Sequence, residues 1–236
     1  MNIKYKLLIG FLLMGLVLAS ISFAIIYNMP PKPPLINGIL IPNPVAIKPF
    51  TVLDQNNEPF KNENLLGKWH MVSYGYTSCP DVCPTVLNVL TKLEANLNYK
   101  QEYTNLDIIF YSIDHQRDTA AQLAEYLSYF SQGFIGLTYV DDMKKLALPF
   151  ETSLGMISIL TPIQSSESDN LSLKNNLPEN KTSSAYTVSH GFMLYLINPE
   201  GKLQAVFKPE LDKDGYYYYR EEQLLEDYLA IRNFLG

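Results

Sequence analysis

The chain has 236 residues, a net charge of −6 and only two cysteines, Cys79 and Cys83. A domain of this length can bury a core without disulfide staples, so the cysteines are not expected to serve stability alone. After the first 28 residues the chain carries 16 basic and 24 acidic residues. That acidic balance argues against a nucleic-acid-binding protein, because such a protein needs a basic surface.

The N-terminus contains an uncharged run of 21 residues, from 7 to 27. About 20 helical residues span the hydrocarbon core of a membrane, so residues 1–28 are predicted to form a transmembrane anchor. Lys4 and Lys6 precede the run and are expected to stay on the cytoplasmic side, which places the rest of the chain on the exported side. A cleaved signal peptide is the competing interpretation, but the apolar run is longer than a usual signal core.

Two later segments lack any helix or strand periodicity. Residues 29–48 are rich in proline and predict a semi-rigid linker between the anchor and a folded domain over 49–236. Residues 161–187 are dominated by serine, asparagine, threonine and charged side chains, which predicts a long polar loop inserted in that domain.

Within the domain, strand-like and helix-like apolar patterns alternate. The predicted elements are, in chain order, a hairpin over 50–60, a strand over 68–74, a helix over about 84–98, a strand over 106–113, a helix from Asp118 to about 130, a strand over 137–140, a helix to about 154, a hairpin over 192–207 and a C-terminal helix. Asp118 is interpreted as the N-cap of its helix. Strand–helix–strand units closed by an antiparallel hairpin predict an α/β fold, with a mixed central sheet and helices on both faces, as in thioredoxin-like folds.

Cys79 and Cys83 lie where the strand over 68–74 turns into the following helix, and their spacing of four places both sulfurs on one side of that turn. Three interpretations compete. A structural disulfide would close too short a loop to stabilise much. A redox pair would gain from a lowered thiol pKa at a helix N-terminus, although redox pairs usually have one residue fewer between them. A metal site of two soft thiolates favours Cu(I), which accepts two or three ligands.

The three histidines are the candidates to complete a metal site. His70 lies inside a predicted central strand and is more simply a hydrogen-bonded core residue. His115 follows the strand over 106–113, at the edge of the sheet where sites form, and is a possible alternate ligand, although a solvated loop histidine is its default interpretation. His190 opens the strand after the polar loop. The spacing alone favours His190 only modestly over His115.

The segment over 75–85, Gly-Tyr-Thr-Ser-Cys-Pro-Asp-Val-Cys-Pro-Thr, resembles the signature of the Sco/SenC family of copper-binding proteins that serve cytochrome c oxidase assembly. The resemblance extends over nearly the whole exported domain. Further matching segments lie at 50–54, 59–60, 66–68, 112–114, 117–119, 189–190 and 195–201. The resemblance implies a membrane-anchored thioredoxin-like domain in which Cys79, Cys83 and His190 bind copper.

The function implied by this resemblance is that of a copper chaperone. It would deliver copper to the binuclear copper site of cytochrome c oxidase, and it could also reduce the cysteines of that site. The implied partners are the copper-site subunit of the oxidase and another copper donor protein. The implied location is the bacterial periplasm, with the mitochondrial intermembrane space as the alternative. A thiol-disulfide oxidoreductase that uses Cys79 and Cys83 as redox-active thiols is the alternative function, and a peroxide-reducing relative is a third.

Three positions depart from the family's usual pattern. Ser189 stands where an acidic residue usually precedes the later histidine, and such a carboxylate can tune a metal site. His115 stands where a proline is common, which adds to its candidacy as a second histidine ligand. The polar insertion before His190 is longer than is typical. None of these departures removes one of the three implied ligands.

Overall fold

A computed structural model describes residues 3–28, 32–162 and 186–236. The chain divides into two compact units, Met1–Pro34 and Leu35–Gly236. The first unit contains helix α1 (Ile3–Tyr27), which is long and apolar enough to cross a membrane. A signal sequence near an N-terminus has the same properties, so the uncleaved anchor over 1–28 stays a prediction.

The second unit contains the remaining helices and all the described strands. The helices are α2 (Val82–Lys100), α3 (Ala120–Ser128), α4 (Lys144–Leu154) and α5 (Glu221–Leu235). The strands are β1 (Gly38–Ala46), β2 (Thr51–Asp54), β3 (Pro59–Lys61), β4 (Trp69–Gly75), β5 (Leu106–Ser112), β6 (Ile135–Thr138), β7 (Ser158–Pro162), β8 (Tyr186–His190), β9 (Leu194–Ile197), β10 (Lys202–Phe207), β11 (Glu210–Leu211) and β12 (Tyr217–Tyr218). Eight of them form one mixed sheet in the order β1-β10-β9-β4-β5-β6-β2-β3.

The centre of the sheet is the parallel pair β4 and β5. Every residue of β4 is buried, as its continuous apolar run predicts for a strand covered on both faces. The register pairs Trp69 with Leu106 at one end and Gly75 with Ser112 at the other. Parallel strands end at the same edge of a sheet, so the loops that follow Gly75 and Ser112 lie side by side.

Two apolar cores cover the two faces of the sheet. Alternate residues of β4 point to opposite faces, so Met71 packs in one core and Val72 in the other. The first core is built with α2, α3 and α5, and the second with α4 and the β2–β3 hairpin. The predicted mixed sheet with helices on both faces is therefore confirmed.

The linker prediction is wrong for Gly38–Ala46. These residues form edge strand β1, which pairs antiparallel with β10 from Gly38↔Phe207 to Ala46↔Lys202. Proline lacks a backbone donor and is tolerated in sheets at edges and bulges. Pro42 and Pro44 satisfy both conditions, because the register of this edge strand shifts between Leu40 and Val45.

The polar loop prediction over 161–187 is wrong at both ends of the segment. Ser158–Pro162 and Tyr186–His190 pair antiparallel as a two-stranded sheet of their own, β7–β8. The rest of the predicted loop, 163–185, lies outside the described residues. His190 therefore sits at the end of a hairpin strand rather than at the start of the central strand β9.

Candidate metal centre

The turn between β4 and α2 carries both cysteines. Cys83 lies in the first turn of α2, where backbone N–H groups have no acceptor within the helix. The Cys83 N–H instead points at the Cys79 sulfur, at 3.4 Å. Cys79 is half-buried, whereas Cys83 is only 4% exposed and lies against Gly75. The local fold thus gives one accessible and one buried sulfur.

His190 brings an imidazole to these sulfurs from the end of β8. Its Nε2 lies 3.8 Å from the Cys83 Sγ, and its Nδ1 lies 2.6 Å from the carbonyl oxygen of Gly191. A carbonyl oxygen can only accept, so Nδ1 donates the hydrogen and Nε2 keeps its lone pair. The ligand atoms of Cys79, Cys83 and His190 all lie within 4.8 Å of one another.

Aromatic rings surround the imidazole. Tyr74, Tyr76 and Phe192 approach the His190 ring with centroid distances of 5.5, 5.8 and 5.1 Å. An open cleft of about 210 Å³ leads past Tyr76 and Phe192 to Cys79 and His190. Among the described residues, the cluster is thus open on the side of Cys79.

The two thiols differ in proton affinity. The pKa of Cys79 is lowered to about 4, because the Cys83 thiol donates to it and because the backbone N–H groups of Cys83 and Asp81 donate as well. The pKa of Cys83 is raised, since it is the donor to the Cys79 sulfur and since burial disfavours its charge. The metal-free pair therefore holds one negative charge, on the accessible sulfur.

This asymmetry predicts the alkylation pattern of the metal-free, reduced protein. Cys79 should react with iodoacetamide before Cys83, at a rate that is nearly constant from pH 5 to pH 8, because its thiolate is fully formed above its low pKa. Mass spectrometry of the peptides at several pH values measures both rates. A Cys79 rate that rises roughly tenfold per pH unit over this range, as for an ordinary thiol, would contradict the assignment.

The donor set of the cluster is chemically specific. The cluster offers three ligand atoms among the described residues, two sulfurs and one imidazole nitrogen. All three are soft or intermediate ligands. Structural zinc sites take four protein ligands, whereas Cu(I) is stable with two or three ligands of this kind. The residues therefore fit a soft ion of low coordination number.

The other two histidines lie elsewhere. The side chain of His115 is 6% exposed, donates through Nε2 to Asp141 at 3.0 Å and stacks on Tyr139 with centroids 4.0 Å apart. The structure thus contradicts both interpretations of His115, since it is neither a ligand in this cluster nor a solvated loop residue. His70 is 1% exposed in the sheet, as expected for a core residue.

Asp118 has a role that the sequence analysis missed. The N-cap of α3 is Thr119, whose hydroxyl accepts from the N–H of Gln122, so the assignment of Asp118 as N-cap is wrong. Asp118 instead accepts from the N–H and hydroxyl of Thr77 at 2.8 and 2.6 Å, and from Ser112 Oγ at 2.7 Å. It thereby ties the cysteine loop to the end of β5. The family resemblance at 117–119 was the available signal.

Comparison with known proteins places this fold and cluster in a family. The family model described as SCO1/SenC matches residues 41–154. A protein of Stutzerimonas stutzeri named for copper binding is 34% identical over 184 residues, which cover 76% of this chain and 77% of that protein. The mitochondrial protein SCO2 of Saccharomyces cerevisiae is 32% identical over 176 residues, which cover 74% of this chain and 52% of the yeast protein.

A solved structure supports the same assignment. The crystal structure of yeast Sco1 with copper bound superposes with a TM-score of 0.59 at 27% identity, over 80% of this chain and 90% of that one. The similarity extends over most of this chain, so the predicted thioredoxin-like architecture is confirmed. With a relative at 34% identity matched over most of its length, the chain belongs to the SCO1/SenC family.

Proposed function

We propose that this protein binds copper through Cys79, Cys83 and His190 and delivers it to the binuclear copper site of cytochrome c oxidase. The observation that carries the proposal is the convergence of two sulfurs and one imidazole Nε2 within 4.8 Å. Membership of the SCO1/SenC family supports copper as the metal, and a relative solved with copper bound has the same fold. The oxidase as recipient rests on the family resemblance.

Delivery would proceed by ligand exchange through the open cleft. Cys79 and His190 line this cleft, whereas Cys83 is 4% exposed beneath them. An incoming thiolate or imidazole of the oxidase subunit reaches the copper from the side of Cys79 and His190. Those two ligands are displaced first, and Cys83 releases the metal last. The buried sulfur thus retains the cargo until the recipient holds it.

The location proposed for this activity is the exported side of a membrane. Helix α1 supplies the anchor, and Lys4 precedes its apolar centre on the cytoplasmic side. The bacterial periplasm is the compartment proposed, with a separate copper donor protein loading the site there. The segment between the anchor and β1 then acts as the spacer, shortened because Gly38–Ala46 belong to the sheet.

The test is copper binding by the full-length, reduced protein in detergent. One Cu(I) per chain is expected, with two sulfur ligands and one nitrogen ligand by X-ray absorption. His190→Ala should lower the Cu(I) affinity by roughly 50-fold and remove the nitrogen, because two thiolates still hold Cu(I) but no longer have the third donor. His115→Ala is the matched control and should leave the ligand count unchanged. The opposite pattern in these two variants would contradict the proposed ligand set.

A second candidate function is thiol-disulfide exchange. The specific observation in its favour is the thiolate on accessible Cys79 with buried Cys83 beside it, which suits an attacking and a resolving thiol. Exchange does not require an imidazole ligand. Turnover of a protein disulfide by the copper-free protein, undiminished in His190→Ala, would favour this function over delivery.

A further inference from the structure

The strand that carries His190 is not part of the main sheet. Strands β7 and β8 pair with each other, from Ser158↔His190 to Pro162↔Tyr186. The backbone ladder of the eight-stranded sheet therefore does not fix the distance between His190 and the cysteines. The main sheet holds the His190 end of β8 through the short link 191–193 to β9, where the Gly191 N–H donates to the Ile157 carbonyl oxygen and the Tyr219 hydroxyl donates to the Phe192 carbonyl oxygen. The other end of the strand, about 13 Å away at 3.3 Å per residue, depends on side-chain contacts.

The end of β8 opposite to His190 is held by three side chains, Asp114, Arg117 and Tyr186, which we call the Tyr186 latch. The Tyr186 hydroxyl donates to Asp114 Oδ1 in a short hydrogen bond, and Arg117 Nε donates to Asp114 Oδ2 at 2.5 Å. The Arg117 guanidinium also lies over the Tyr186 ring, 4.2 Å from its centroid. Two donors and one cation–π contact thus converge on one strand end.

Burial makes the Tyr186 latch specific. The Asp114 side chain has no exposed surface, and a buried carboxylate is costly unless donors surround it. Its two oxygens are each occupied, one by Tyr186 and the other by Arg117. Moving β8 away would withdraw the Tyr186 donor from a carboxylate that water does not reach. Breaking this contact is therefore expected to cost more free energy than breaking an exposed polar pair.

The loop that holds Tyr186 also holds the cysteine turn. The N–H of Asp114 donates to Ser112 Oγ at 3.1 Å, and Ser112 Oγ donates to Asp118, which binds Thr77. Thr77 lies two residues before Cys79, and Tyr186 lies four residues before His190. One loop, 112–118, is thus bonded to both halves of a site whose parts are over a hundred residues apart in sequence.

We propose that the Tyr186 latch positions His190 as the third metal ligand, because it fixes strand β8 to the loop that supports the cysteines. This inference rests on the proposed function of copper binding. Tyr186, Asp114 and Arg117 do not touch the cluster, so they are positioning residues. Groups that orient a metal ligand typically contribute 10- to 100-fold to metal affinity. The latch acts through the strand rather than on the imidazole itself, so we expect its effect at the low end of that range and below that of His190.

The test is a double-mutant cycle on the full-length, reduced protein in detergent. Tyr186→Phe keeps the ring over which Arg117 lies and removes only the hydroxyl. It should lower Cu(I) affinity about tenfold, measured by competition with a chromophoric Cu(I) chelator, and should lower the nitrogen count seen by X-ray absorption while both sulfurs remain. In the His190→Ala background the same change should cost less than about twofold, because the ligand it positions is gone.

Tyr99→Phe is the matched control, since Tyr99 is 89% exposed near the far end of α2, and it should leave affinity unchanged in both backgrounds. Equal losses from Tyr186→Phe with and without His190, or no loss in either, would overturn the proposal. Hydrogen exchange without copper is the second measurement. Amides 186–190 should exchange faster in Tyr186→Phe, and unchanged exchange would also overturn it. Failure of the wild type to bind copper would instead reject the proposed function, and the exchange result would still decide whether the latch holds the strand.

Discussion

Gly75→Ala is expected to lower Cu(I) affinity about 1,000-fold. An added Cβ at this position would overlap the Cys83 sulfur and lie 3.3 Å from the Phe110 ring. Cys83 is 4% exposed and fixed in the first turn of α2, so relieving this overlap is expected to displace its sulfur from the position beside Cys79 and His190. Losing one of two chelating thiolates removes the 10²- to 10⁴-fold gain that a second linked ligand supplies. Chelator competition measures this loss.

The matched control for this variant is Gly133→Ala. Its added Cβ would meet the end of the Glu94 side chain at 3.1 Å, and that flexible carboxylate can move aside. Gly75→Ala should also lower the free energy of unfolding, by about 1–3 kcal/mol, as overpacking of a core usually does. Full copper affinity in Gly75→Ala would show that Cys83 Sγ does not need this position to bind the metal.

The sequence predicted best those elements whose burial follows from local pattern. The all-apolar runs of β4 and β5 predicted central strands, and the leucines of α2 predicted a helix with one buried face. The position of the cysteines in the fold could be predicted for the same reason, because they lie at the junction of β4 and α2. These features depend on neighbours within one or two turns of the chain, and local periodicity reports such neighbours directly.

The periodicity and spacing of the residues could not predict long-range contacts. His190 and Cys83 are 107 residues apart, and no spacing rule reaches that far. The family resemblance, not the pattern, separated His190 from His115. The true surroundings of His115 depend on Asp141, 26 residues later, and on stacking against Tyr139. The same limit applies to β1, because its prolines suggested a spacer while its partner strand lies at the other end of the domain.

The second large effect is expected on the stability of the protein at acid pH, and it arises from His70, a buried histidine far from the cluster. His70 is 1% exposed in β4, its Nδ1 has no hydrogen-bond partner among the described residues, and Asp107 lies 3.8 Å from Nε2. Burial lowers the pKa of His70 to about 4, and the nearby Asp107 carboxylate only partly offsets this effect. The folded protein therefore holds His70 neutral where an unfolded chain would protonate it.

The metal-free protein is accordingly expected to lose about 3 kcal/mol of unfolding free energy between pH 6.5 and pH 4 through His70 alone. The unfolded state binds the proton below about pH 6.5 and the folded state only near pH 4, so stability falls as the pH falls. Urea unfolding followed by the fluorescence of Trp69, the single tryptophan, measures this. His70→Gln should lose correspondingly less over the same range, because carboxylate contributions are shared by both proteins. Parallel losses, or an NMR titration of the His70 ring near pH 6.5, would show that burial does not hold this histidine neutral.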